Sequence, residues 1–194
     1  MNKLFFAGIC IAATLLSGCQ APVSVKKNLD GSETVSIQGE DFSVNANDKT
    51  GESTFKDDKG NVVKSKTNED GTYSMESTNA KGEKFTMDSG KEVDLTQFGL
   101  KPYPGAVTDD KSNSQSMIET TEGKNAFITV FTQDSKEKVA EFYSPQITKD
   151  KNELKTDEAI VLSGKTSNNS EVFVSASKVD GRTQISITAG IKKT

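Results

Sequence analysis

Short apolar pairs two residues apart recur through the first half of the chain: Val35 and Ile37, Phe42 and Val44, Tyr73 and Met75, Phe85 and Met87, Val93 and Leu95. Successive side chains of a strand point to opposite faces, so each pair predicts a half-buried strand that sends about two side chains inward. Between the pairs lie turns of one chemistry, NLDG at 28–31, NDKTG at 47–51, DDKG at 57–60, NEDG at 68–71 and NAKG at 79–82. Asn and Asp bond their own backbone in such turns, and Gly takes the positive φ that closes them. Gly51, Gly60, Gly71 and Gly82 follow one another at 9, 11 and 11 residues. That spacing is one strand plus one turn, and it predicts a glycine-punctuated, all-β repeat module over 23–96, a meander or a small solenoid. Ser, Thr and Lys fill the positions between the pairs, so its core is expected to be thin.

The stretch QFGLKPYPGA at 97–106 breaks this rhythm, and Pro102 and Pro104 with Gly99 and Gly105 predict a stiff extended crossing. A second domain, 97–194, is expected beyond it. NAFITVFT at 125–132 carries Ala126, Ile128 and Val130 on one face and Phe127 and Phe131 on the other, the pattern of a strand inside a sheet. Asp134 with Glu137 resembles a capping box, and Val139, Phe142 and Tyr143 share a helical face, so a helix is predicted over 135–144, stopped by Pro145. AIVLS at 159–163, EVFVSAS at 171–177 and TQISITAGI at 183–191 read as strands, with others near 107 and 116–120. Asp180 and Gly181 form a favoured two-residue turn between Val172, Val174, Ala176 and Ile185, Ile187, Ala189. The expected fold of 97–194 is α+β, with one helix on an antiparallel sheet.

The first 22 residues follow a third pattern: Lys3, then thirteen apolar or small residues from Leu4 to Leu16, then Ser17, Gly18 and Cys19. This is the form of a secretory signal, and it is too short for a spanning helix of about 20 residues. Leu16, Ser17, Gly18 and Cys19 resemble the lipobox of bacterial lipoproteins. The resemblance implies that residues 1–18 are a signal peptide whose peptidase recognises Leu16, Ser17 and Gly18. It implies that Cys19 is the lipidated first residue of a short tether, 19–22, with Gln20 directing the product to the outer membrane. Each buried methylene of the attached chains adds ~0.8 kcal/mol of membrane affinity.

Farther along, YPGA at 103–106, a strand, VAEFY at 139–143 on a helix and three more strands resemble a bacterial envelope module with a YPGA entry and a VxxFY helix. Where its members carry a Gly-Trp pair after the helix, this chain has Ile147 to Leu154. The resemblance implies a fold, and no activity comes with it.

Composition removes several function classes. The chain has no His and no Trp, so Ser-His-Asp and Cys-His arrangements and imidazole-bearing zinc sites cannot be built. Of its two cysteines, Cys10 would leave with the signal and Cys19 would carry lipid, so no internal disulfide is expected. A net charge of −4 with Arg182 as the one arginine argues against a nucleic-acid partner. Asp30, Asp57, Asp58 and Asp70 are possible calcium ligands, but the loop position before Asn68 and Asp70 that should be acidic is Lys66, and before Asn28 and Asp30 it is Lys26. Asp109 with Asp110 and Asp157 with Glu158 are adjacent pairs, which on a strand diverge instead of converging on one bond. Asn168 to Ser170 fit a glycosylation sequon by spacing alone. Tyr103, Phe142 and Tyr143 are expected in a core, not on a ligand platform.

The expectation is a lipid-anchored envelope protein with a non-catalytic structural or protein-interaction role, with no metal, no cofactor and no nucleic acid. Its partners would be the membrane, through Cys19, and another envelope protein. The alternative is a small-ligand or carbohydrate-binding module on the sheet face opposite the helix, using Phe127 and Phe131.

Overall fold

The computed structural model describes residues 22–109 and 114–193, and among these the chain is mostly antiparallel β, with a single α-helix. It divides into two compact units, the first running to Asp70 and including Ser74–Lys84, the second comprising Gly71–Tyr73 and Phe85 onward.

In the first unit the alternating pairs form a meander in chain order: β1 (Val23–Lys27), β2 (Glu33–Gln38), β3 (Phe42–Asn47), β4 (Glu52–Asp57), β5 (Val62–Thr67) and β6 (Tyr73–Thr78). This is the meander and not the solenoid. β4 and β5 carry no apolar pair at i and i+2 and join the sheet through Phe55 and Val63. The register sets Val23 beside Ile37, Ile37 beside Val44, Val44 beside Phe55 and Phe55 beside Val63, one apolar row across five strands. Turn side chains hold the ends: Asp30 accepts from the Ser32 backbone at 3.1 Å and its hydroxyl at 2.7 Å, and Asp57 accepts from the Asn61 backbone at 2.8 Å. Those two hydrogen bonds from Ser32, with Lys49 alongside, pull the Asp30 carboxyl down to about 2.

In the second unit β7 (Lys84–Ser89), β8 (Gln115–Thr120), β9 (Gly123–Thr132), β10 (Ile147–Lys155), β11 (Ala159–Thr166), β12 (Glu171–Val179) and β13 (Arg182–Lys192) stand in the order β7-β8-β9-β13-β12-β11-β10. Asp180 and Gly181 have φ of 50° and 76°, the double positive turn expected of that dipeptide. The hairpin they close pairs Val172 with Ala189, Val174 with Ile187 and Ala176 with Ile185. β9 lies inside the sheet against β13, with Ile128 beside Ile187, and β11 adds Leu162 beside Val174. Ile128, Ile187, Val174 and Leu162 thus form a row of buried side chains, 5 % exposed or less. The helix α1 (Lys136–Tyr143) packs on this face against β11 and β12.

Three local expectations are corrected, and one further strand is added. Val93 and Leu95 are not a strand: Asp94 accepts from the Thr96 backbone at 2.9 Å and caps a 3-10 turn, Leu95–Phe98, which buries Val93, Leu95 and Phe98. The helix is capped by Ser135, which accepts from the Lys138 backbone, one residue after the expected Asp134. Ser144 is helical despite Pro145, because the chain tightens into a second 3-10 turn over Ser144–Gln146. Ile147–Lys155 is a strand that its charged, mostly exposed sequence does not announce; it is the outer edge of the sheet, where such residues are tolerated. The division by contacts also differs from the compositional break at 97, because β7 pairs with β8 through Phe85–Thr120 and Met87–Ile118.

The hairpin glycines give a direct test of the first unit. Gly51 has φ +66° and a Cβ there would lie 2.0 Å from the Thr67 carbonyl oxygen, whereas Gly31, at φ +82°, has open space. In denaturant unfolding of the full chain, Gly51→Ala should destabilise the β4–β5 hairpin by about 2 kcal/mol or more, and Gly31→Ala by about 1 kcal/mol. Hydrogen exchange should localise the first loss to β4 and β5.

Candidate functional site

Two features of the second unit present chemistry to solvent. The first is a cleft of about 580 Å³ on the helix-bearing face of the sheet. Ile128 and Ile187 make its floor, Val93 and Leu95 one wall, and Tyr103 and Val107 the other. The prolines bring the chain across in extended form, and Val107 then bridges to Phe131 through backbone hydrogen bonds of 2.9 and 2.8 Å.

Tyr103 fixes this wall. Its ring meets Phe142 edge-on at 5.1 Å and lies 6.2 Å from Tyr143, while Phe142 and Tyr143 are perpendicular at 5.0 Å. Tyr103 and Tyr143 are core, and Phe142 packs partly buried against them. The Tyr103 hydroxyl donates to Asp134 Oδ2 at 2.9 Å, and Asp134 Oδ1 accepts from Lys138 Nζ at 3.0 Å. Lys138 and Tyr103 together hold the Asp134 carboxyl below its ordinary range, whereas burial and the neighbouring carboxylate push the Tyr103 phenol up to about 12. Tyr143 is fully buried, which raises its phenol strongly, and its hydroxyl has no hydrogen-bond partner of good geometry.

The second feature is the opposite sheet face. Phe127 and Phe173 both pair with Thr188 and so stand in one row, flanked by Ser116 and Ser163. They are 43 % and 46 % exposed. β9 is thus an inner strand of the sheet with Phe127 left open on the face that α1 does not cover. Phe131 does not join the exposed row: it is 7 % exposed, with the Arg182 guanidinium 4.3 Å above its ring. The sequence reading missed Phe173, although the parity of EVFVSAS places it opposite Val172 and Val174.

The other candidate residues are drawn into structure. Asp109 pairs with Arg182 at 3.6 Å, and its neighbour Asp110 lies outside the described residues. Asp157 receives at its backbone carbonyl the ammonium of Lys136, which also donates to the Thr156 carbonyl at 2.8 Å and is buried. No sequence pattern marks Lys136 as a buried lysine. Asn168 donates to the Gln97 carbonyl at 2.9 Å, tying the β11–β12 turn to the 3-10 turn. Among the described residues no three His, Cys, Asp or Glu side chains gather in a way that could hold a metal ion, and no helix is long and apolar enough to cross a membrane. Leu16, Ser17, Gly18 and Cys19, with the rest of the expected signal peptide, lie outside the described residues.

The Asp134–Tyr103 pair sets two pH arms. A carboxyl with a depressed folded pKa stabilises above its unfolded value near 4, and this is lost as pH falls through the folded value. A phenol raised to about 12 stabilises fully below about 10, and this is lost as pH rises through 12. Asp134→Asn should flatten the acid arm of unfolding and bring one tyrosine's titration, read by phenolate absorbance, back toward 10. Comparison with known protein families, with curated proteins and with solved structures finds no match to this chain.

Proposed function

We propose that this chain is a lipid-anchored envelope protein with a non-catalytic structural or protein-interaction role, carried by a β-repeat module followed by an α+β domain. The observation that carries this reading is the order Lys3, apolar Leu4 to Leu16, Ser17, Gly18, Cys19, with polar sequence directly after it. Cys19 would bear the lipid and Gln20 would direct it to the outer membrane. Val23, the first residue of β1, follows Cys19 by only four positions, so the anchor would hold the first unit close to the bilayer. Asp30 and Asp57 are bonded within turns and Asp109 pairs with Arg182, an arrangement that suits a framework better than acid–base work.

A second reading is favoured by the exposed row of Phe127 and Phe173. Two flat apolar rings on a hydroxyl-rich sheet face suit the apolar faces of sugar rings, with Thr188, Ser116 and Ser163 as hydrogen-bonding neighbours. On this reading the second unit holds envelope glycan.

Anchoring is tested by Cys19→Ala. The variant should leave the membrane fraction and lose incorporation of labelled fatty acid; unchanged fractionation removes the lipid from the proposal. For the glycan reading, the full chain should co-sediment with isolated cell-wall sacculi. Phe127→Ser with Phe173→Ser should reduce that retention about tenfold, the effect of losing roughly 1.4 kcal/mol of ring contact.

A further inference from the structure

The first unit has an amphipathic sheet that nothing within it covers. Val23, Ile37, Val44, Phe55 and Val63 form one row across β1–β5, and the same face holds a second row beginning Val25, Val35 and Ala46. Phe42 belongs to this face too, its ring stacked 6.3 Å from Phe55 with planes 19° apart. Gly39 makes room for that ring, since a Cβ there would lie 2.4 Å from it. The other face is polar and internally bonded: Ser36 donates to Asn45 at 2.6 Å, and Lys66 pairs with Glu52 at 3.1 Å. Of the apolar set only Ala46 is buried, while Val23 and Val25 are each 60 % exposed and Phe55 37 %. The described part of the unit is all strand and turn, with no helix to lay across the face.

We propose that this apolar face is an interface between two copies of the chain, packed sheet on sheet. Two arguments point to a second copy. A flat row of apolar side chains across five strands is complementary to itself under a two-fold axis, which a pair of identical surfaces requires. Five strands ~4.8 Å apart, β2–β5 each of 6 residues rising ~3.3 Å apiece, present on the order of 500 Å². Two copies would bury about 1,000 Å², which reaches the size of a specific but weak interface. The pairing is independent of the glycan reading, which uses residues of the second unit alone.

The test is cysteine cross-linking of the full chain in intact cells. Val44 is the middle of the five-residue row, and Val44→Cys should give a cross-linked dimer with a short bis-maleimide, above the wild-type background. Lys64→Cys, on the polar face, should not. Adding Phe55→Lys to Val44→Cys should cut the dimer at least about tenfold, because a lysine would then be buried in the contact, while the protease resistance of the second unit stays unchanged. Equal cross-linking from Lys64→Cys, or a Val44→Cys dimer indifferent to Phe55→Lys, overturns the proposal. So does a Val44→Cys chain that forms no dimer and is labelled instead by a photoreactive phospholipid, which would assign the face to the bilayer.

Discussion

A sheet with one apolar face is stable only when that face is covered, and this constraint organises the second unit. The row Ile128, Ile187, Val174 and Leu162 is closed off by α1 on one side, and the segment from Val93 to Val107 adds its own apolar residues beside it. Tyr103 and Tyr143 join the two covers, one ring from the crossing segment and one from the helix. Burying such side chains is worth about 1.5–3 kcal/mol each, against about 1 kcal/mol for a net hydrogen bond. The Tyr103–Asp134 contact therefore orients the segment more than it stabilises it. The cleft is what remains where the two covers do not meet.

The first unit obeys the same constraint less completely. Its strands send few large side chains inward, and its backbone ladders and turn hydrogen bonds carry a larger share of its cohesion. Asp30, Asp57 and Asn79 each close a turn with their own side chains. A half-exposed apolar face on such a sheet is a surface available to another molecule.

Much of this was legible in the residues. The Asp180–Gly181 turn and its three cross-strand pairs follow from alternation and turn chemistry, and the helix from its apolar spacing, with errors of one residue at its cap and end. Other elements depend on partners distant in sequence. β10 is a strand because β11 offers an edge, not because ITKDKNELK favours one. Val93 and Leu95 have a strand's spacing, yet the Asp94 cap and the space over β9 and β13 make them a wall of the cleft. Phe131 and Phe127 are equivalent by parity, and only the position of Arg182 and Val107 buries one and leaves the other open.

The sequence by itself determined the local terms: where strands alternate, which dipeptides turn, which classes of catalysis lack their residues, and the LSGC motif on which the anchoring proposal rests. Those properties arise within a few residues, so short-range chemistry suffices. Tertiary structure decided which faces are covered, which carboxylates are already bonded and which aromatic side chains remain in water. Burial and pairing depend on neighbours brought together from far along the chain, such as Thr166 with Phe98 or Lys136 with Thr156, and no local pattern encodes them.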